Sequence, residues 1–368
     1  MKRWYAHRIY IKYYRCIVKT NLKIDFSKSV EGEKEWLKKW QQLDSRVSPF
    51  AYRIFSQYIG PNINILPLET SVNYIENILN PLEYQAPYCD KNFFDKIFGI
   101  ENTLGTIFRR MGGVFYTKDY TPIIQFSNEQ LKEILSEYNK IVLKKSIDSN
   151  SGKGVWLFEK DMNGDWFSNQ DKLTIELLNS WDLDNFIVQN WWQQSEELAF
   201  FNSTSVNTIR ICAYRSVKTG EIHISSAILR IGSSGSHVDN AHGGGMFVGI
   251  DKEGNIKSRP TTFLGAQQDT FNGIDFKNNN YKIPNWDNIC KFVKEQSKKI
   301  IHHHILAYDI TLDPSNEPHI CEVNVDAFSA WLYQFVSSPT FDEYTDEILN
   351  YCIKHKHPKN VTFKFKLH

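Results

Sequence analysis

Asp309, Glu322 and Asn324 stand out because of where they fall in ILAYDITLDPSNEPHICEVNV, residues 305–325. Two apolar runs flank a turn built from Asp313, Pro314, Asn316 and Pro318, all turn formers. A hairpin centred on Ser315-Asn316 pairs residue 312 with 319 and, in the same register, Asp309 with Glu322. Glu322 and Asn324 are two apart and share a strand face. Two carboxylates and an amide oxygen thus converge on one side of a hairpin otherwise lined with Ile, Leu, Ala and Val. Facing carboxylates repel, and taking them out of water is costly. A divalent cation resolves both costs, and a hard-oxygen set with few protein ligands suits Mg²⁺ bridging nucleotide phosphates. The competing reading is a solvent-facing hairpin with scattered acids.

A second segment, IVLKKSIDSNSGKGVWLF (141–158), sets Lys144 on an apolar strand before a flexible turn containing Gly152, Lys153 and Gly154. Glycines there let backbone N–H groups approach an oxyanion, and the lysines add point charges. Alternation puts Ile141, Leu143 and Lys145 on one face and Lys144 on the other. No GxxxxGK[ST] precedes a helix, so this is not a Walker loop. A Gly-Ser hairpin turn with a surface lysine has the same look.

Together the two segments resemble the ATP-grasp superfamily, whose ordered landmarks are a strand lysine, a flexible Gly-rich loop, a hinge strand and a terminal acid followed by E-x-N. The hinge falls in NFIVQNWWQQSEELAF (185–200). By resemblance, Gln189, Asn190 and Trp191 would meet adenine, with Glu196 or Glu197 near the ribose. YCDKNFF (88–94) looks like the superfamily's "DK" element and makes Lys91 a second phosphate-contacting lysine. A closer resemblance, over about residues 85–335, is to the sugar-transfer-associated ATP-grasp group of capsule and exopolysaccharide biosynthesis. It is carried by SVNTIRICAYR (205–215), ILRIGSSGSHVDNAHGGGMFVGID (228–251) and the terminal YDI…CEVNV. Lys145 departs from the pattern, since many relatives place Pro after the strand lysine.

The resemblance implies a reaction in which ATP and Mg²⁺ convert a carboxylate into an acyl phosphate, which an amine then captures to give an amide, ADP and phosphate. Arg210, on a strand that otherwise reads as core, is the expected stabiliser of the intermediate, with Arg230 one strand later. Asp239, Asn240 and His242, in the glycine-rich loop 232–245, are candidates to orient the amine or accept its proton. The expected substrates are a uronic sugar or oligosaccharide and an amino acid or other amine. A sugar or alcohol kinase using the same nucleotide site, and a non-catalytic scaffold of a glycan-assembly complex, are the alternatives.

The elements that must position these residues read as α+β, and the resemblance implies an ATP-grasp fold with an N-terminal α/β lobe, a small nucleotide lid and a C-terminal metal-binding lobe. The expected division is 1–45, a basic helical arm; 46–140, the first lobe; 141–200, the lid; 201–340, the catalytic lobe; and 341–368, a helix and tail. Strands are expected at 141–145, 154–158, 185–192, 207–215, 221–231, 247–251, 305–312 and 318–325. Helices are expected at 128–140, 171–179 and 288–304. His302, His303 and His304 then sit at a helix end, where histidine suits the dipole.

Bulk properties narrow the class. The 368 residues exceed what one core usually supports. A net charge of +1 argues against a dedicated nucleic-acid binder. The six cysteines form no CxxC pair and fit free thiols in a reducing compartment. No apolar run is long enough to span a bilayer, and the N-terminus is too charged for a secretory signal, so a cytoplasmic place is expected. Residues 2–23 carry seven Lys or Arg and no Asp or Glu. They read either as an amphipathic helix at the inner membrane face or against a glycan-assembly partner, or as a helix packed by one face on the body.

Overall fold

Alternating side chains along long strands sort themselves between separate cores, and that sorting builds this molecule. The computed structural model describes residues 2–21, 28–147, 154–181, 183–326 and 328–356. Its first sheet comprises β1 (Thr106–Met111), β2 (Val114–Thr117), β3 (Lys140–Lys145), β4 (Val155–Lys160), β5 (Trp166–Ser168), β6 (Asp171–Lys172) and β7 (Phe186–Asn190). Their order is β2-β1-β7-β3-β4-β5-β6. Ile141 and Leu143 join Phe186 and Val188 in one buried core, which turns Val142 and Lys144 to the other face. Helix Asn128–Leu135 closes that core with Leu131 and Leu135, and starts at a Ser127/Gln130 capping box.

The second sheet comprises β8 (Thr208–Arg215), β9 (Ile222–Ile231), β10 (Met246–Ile250), β11 (Asn255–Ile256), β14 (Tyr281–Lys282), β15 (Ile305–Leu312) and β16 (Pro318–Asn324). The order is β14-β11-β10-β9-β8-β15-β16, with β12 (Thr270–Phe271) and β13 (Ile274–Asp275) a separate hairpin. Every pairing in both seven-stranded sheets is antiparallel. Ile209, Ile211, Tyr308 and Ile310 face helix Trp286–Ser297, while Cys212, Tyr214, Ile305 and Ala307 face helices Phe50–Ile59 and Ala330–Val336. Covered on both faces, β8 and β15 read as near-continuous apolar runs. Gly249 lets helix Ala330–Val336 lie against β10, since a Cβ there would sit 2.1 Å from the Val336 carbonyl oxygen.

Three expectations change. The line drawn between residues 140 and 141 cuts through a sheet, because β1 pairs with β7 and brings β2 with it; residues 50–102 before it are helical apart from turns. The helix expected at 171–179 begins as β6 and turns helical only at Ile175, where Thr174 caps it. The helix before β15 stops at Ser297, so His302–His304 are not at its end. His302 stacks on Tyr84 with centroids 4.2 Å apart, and His303 is fully buried, pushed down to about 4 by burial.

Helix Lys2–Asn21 packs on the body by one face. Tyr14 and Ile17 are fully buried, the Tyr14 hydroxyl donates to Glu69 Oε2 at 2.8 Å, and Leu68 N donates to that hydroxyl at 3.0 Å. No described helix is long and apolar enough to cross a membrane.

Candidate active site between the two sheets

Lys144, Arg210, Arg230, Asp239, Asp309, Glu322 and Asn324 line one cleft of about 1210 Å³, with Lys91, Asn190, Trp191 and His242. Strand alternation explains most of this. Arg210 lies between Ile209 and Ile211, so the two isoleucines point to one core and the guanidinium to the cleft. Asp309 pairs with Arg210 in the ladder and shares that face.

β16 adds a break in register. Leu312 pairs with Pro318, one residue from the expected partner, because the turn holds Asp313–Glu317 with Asn316 left-handed. A bulge between Ile310 and Asp309 absorbs the offset, and Asp309 still pairs with Glu322. Ile320, Val323 and Val325 stay in the core, while Cys321, Glu322 and Asn324 all reach the cleft. The bulge is what lets two consecutive residues, 321 and 322, face the same space.

The charges form a chain. Arg210 donates twice to Asp309, at 2.7 and 2.6 Å, and Arg230 bridges Asp309 at 3.1 Å and Asp239 at 2.9 Å. Asp239 also accepts from the backbone N–H and the hydroxyl of Thr208. Burial alone would raise the Asp309 carboxyl, but Arg210 and Arg230 outweigh it and hold the group below the usual carboxylate range. At Asp239 burial wins over Arg230 and Thr208, and the group is raised. Burial lowers Lys144, and it lowers His242 with help from Arg230.

Lys91 enters from outside both sheets. Asp90 accepts from Asn92 N, starting a short turn of helix, and Lys91 N donates to the Ser146 carbonyl at the end of β3. Its ammonium then meets Glu322 at 2.7 Å. Lys144 lines the cleft, whereas Lys145 packs over Gly154, whose added Cβ would lie 2.7 Å from the lysine stem. Gly152 and Lys153 lie outside the described residues.

Two groups of expected residues are not in the cleft wall. Gln189 is buried within β7, between β1 and β3. Glu196 and Glu197 start a short helix capped by Ser195, and Glu197 accepts from Asn316 at the β15–β16 turn. The loop 232–245 is folded rather than loose: Asn202 and Asn272 donate to Ser233 and Gly232 carbonyls, and Asn240 caps a turn at His242. Gly232 and Gly245 permit this, since a Cβ at either would come within 2.7 Å of another backbone carbonyl oxygen in the loop. Unanticipated wall residues include Thr208, Cys321, Trp156 and Trp331. Thr208 had a signal, being two residues before Arg210 on the same strand face.

The donor set is compatible with a hard cation. Asp309, expected as a metal ligand with Glu322 and Asn324, instead gives both oxygens to guanidinium groups, and one Glu322 oxygen meets Lys91. Among the described residues no three His, Cys, Asp or Glu are placed to hold a metal. The residues therefore suit a cation held mostly by phosphate oxygens, which is the habit of Mg²⁺, rather than an all-protein cage.

The family described as sugar-transfer associated ATP-grasp matches residues 72–348. No curated protein matches the sequence. Among solved structures, the D-alanine–D-alanine ligase from Coxiella burnetii is 9% identical, covering 75% of this chain and 60% of that one, with a TM-score of 0.41. The ADP complex of PurK, an N5-carboxyaminoimidazole ribonucleotide synthetase, is 12% identical over 72% of this chain and 52% of that one, TM-score 0.39. The ATP-grasp ligase PsnB, complexed with a phosphomimetic variant of its minimal precursor, Mg and ADP, is 8% identical over 76% and 62%, TM-score 0.40. The chain thus spans between 52% and 62% of the length of these three structures. With the family matched across both sheets and the whole charged cleft, this chain belongs to the sugar-transfer associated ATP-grasp family.

Proposed function

We infer that the cleft is the active site of an ATP-dependent carboxylate–amine ligase working in surface-polysaccharide synthesis. The observation that carries this reading is the facing of Lys144 on one sheet by Arg210, Arg230, Asp309, Glu322 and Asn324 on the other, with Lys91 between. Phosphoryl transfer demands charge neutralisation and positioning more than covalent help. Lys91 and Lys144 would hold ATP phosphates, and Mg²⁺ at Glu322 and Asn324 would neutralise charge there. Arg210, kept ionised by Asp309, is a fixed donor for the acyl phosphate and for the tetrahedral species formed when the amine attacks. Arg230 orients beside it. Asp239 and His242, which line the same cleft, would serve the acceptor, since a group that favours its neutral form can exchange a proton with an amine. The reading takes a uronic acid as the carboxylate and an amino acid or other amine as its partner, and the family's sugar-transfer association supports the sugar part of it.

The test is ADP release from Mg·ATP by purified protein, with uronic acids or uronate-bearing oligosaccharides, with and without mixed amino acids. Turnover that needs both acid and amine, and that disappears in Glu322→Ala, is expected. Turnover with sugar but no amine makes the protein a kinase instead. Tight ATP binding without turnover in any mixture moves the reading to the scaffold.

A further inference from the structure

Helix Lys2–Asn21 spends its apolar side on the protein itself. Tyr14 and Ile17 are buried, and Tyr10, Ile11, Tyr13 and Val18 pack against the same core. The apolar face formed by Tyr10, Ile11, Tyr13, Tyr14, Ile17 and Val18 is therefore not open to insertion in a membrane. What remains outside is basic. Arg8, Lys12, Arg15 and Lys19 are exposed, and their spacing of four, three and four residues places them on one helix face. From Arg8 to Lys19, eleven helical rises, they form a row roughly 16 Å long.

Two features separate this row from an ordinary solvated face. The helix carries no acidic residue, and Lys12, Arg15 and Lys19 make no ion pair among the described residues. Like charges three and four apart on a helix repel, so the row does not serve the fold. Its opposite side is fixed by the Tyr13 hydroxyl bond to the Phe263 carbonyl at 2.9 Å and by Tyr14 to Glu69, so the charges are presented on a rigid support.

We propose that this row docks the protein electrostatically on an anionic lipid surface, without insertion. A straight line of cations, of which Lys12, Arg15 and Lys19 make no ion pair among the described residues, suits a flat, extended sheet of negative charge better than a pocket-sized anion, while Tyr14 and Ile17 on the opposite side are already spent on the core. The same helix backs the cleft. Tyr13 packs against Phe263 and Trp331, at centroid separations of 5.5 and 6.0 Å, and Trp331 is part of the cleft wall. Docking would thus hold the Trp331 end of the cleft one side chain away from the docked helix, where a lipid-anchored glycan could reach it. The docking does not depend on the ligase reading, and its test measures no turnover.

The experiment is co-sedimentation of the full chain with phosphatidylcholine vesicles, with and without phosphatidylglycerol, at low and high salt. Binding to the anionic vesicles alone, lost at high salt, is expected. Reversing Lys12, Arg15 and Lys19 to Glu should weaken it about a hundredfold, at about fivefold per neutralised charge or more. Reversing Lys282, Lys291 and Lys294, exposed on another face, changes the net charge equally and should leave most of it. Thermal melts of both variants confirm folding; all substituted side chains are exposed. Absence of binding by the wild type, equal loss in both variants, or binding that survives reversal of the row overturns the proposal. Tighter, row-dependent binding to duplex DNA at the same salt would also overturn it and make nucleic acid the partner.

Discussion

Asp309 does two jobs that pull on its stability in one direction. It is nearly inaccessible, and it is the shared counter-ion of Arg210 and Arg230. Removing one partner of a buried pair strands the other charge, so Asp309→Asn should destabilise the fold by about 3–5 kcal/mol. Glu322 is a third exposed, and its pair with Lys91 is partly screened; Glu322→Gln should cost under about 1 kcal/mol. Denaturant melts of the two variants test this, and similar costs would mean that Asp309 is not the structural counter-ion. The pH dependence has a definite sign. Because the folded carboxyl is depressed below its ordinary 3.8, the stabilisation is complete above that value and is lost as pH falls through the folded one. Wild type and Asp309→Asn should therefore converge in stability only in strong acid.

At the scale of elements, the docking of helix Lys2–Asn21 rests on an ionisable group with the opposite behaviour. Glu69 is fully buried, accepts from Tyr14 on one oxygen, and has no partner for the other among the described residues. Burial raises it from 4.5 to about 7, against the opposing bond from Tyr14. Its folded state favours the protonated form, so stability is greatest below 4.5 and is lost as pH rises towards about 7. Glu69→Gln keeps an acceptor for Tyr14 and removes the titration, and should stabilise the protein above neutrality by about 2–4 kcal/mol while changing little in mild acid. Stability curves across that range check it, and a gain independent of pH would contradict the assignment. Much of the element layer was legible in sequence, because β8 and β15 announce themselves as near-continuous apolar runs and β9 and β16 as strand-length apolar segments broken by polar residues. What alternation cannot show is which strands pair across long separations, so the joining of β1 to β7 was invisible. Nor can it show a bulge. The pairing of Asp309 with Glu322 was anticipated through a regular hairpin, whereas the molecule reaches it by an irregular turn and a compensating bulge that also brings Cys321 into the wall.

The two sheets meet at the cleft, and their facing groups come from chain segments far apart: Lys144 from β3, Arg210 from β8, Arg230 from β9, Asp309 and Glu322 from the hairpin near the end. A ligand that touches all of them ties one sheet to the other, and so should resist unfolding of the whole molecule rather than of one part. Any ligand bound only by the folded state stabilises it by mass action, by about 2.7 kcal/mol at a concentration of about 100 times Kd. Mg·ATP should thus raise the thermal midpoint in a concentration-dependent way. Lys144 is the discriminating residue. It projects from the first sheet across to Glu322 and Asp239, and burial already disfavours its charge, so removing it relieves a cost in the empty protein. Lys144→Ala should therefore leave the ligand-free midpoint unchanged or slightly higher and abolish most of the shift. Chelation of the metal should reduce the shift in the wild type as well. A full shift in Lys144→Ala, read by scanning fluorimetry over the same ATP series, would place the nucleotide somewhere other than between the sheets.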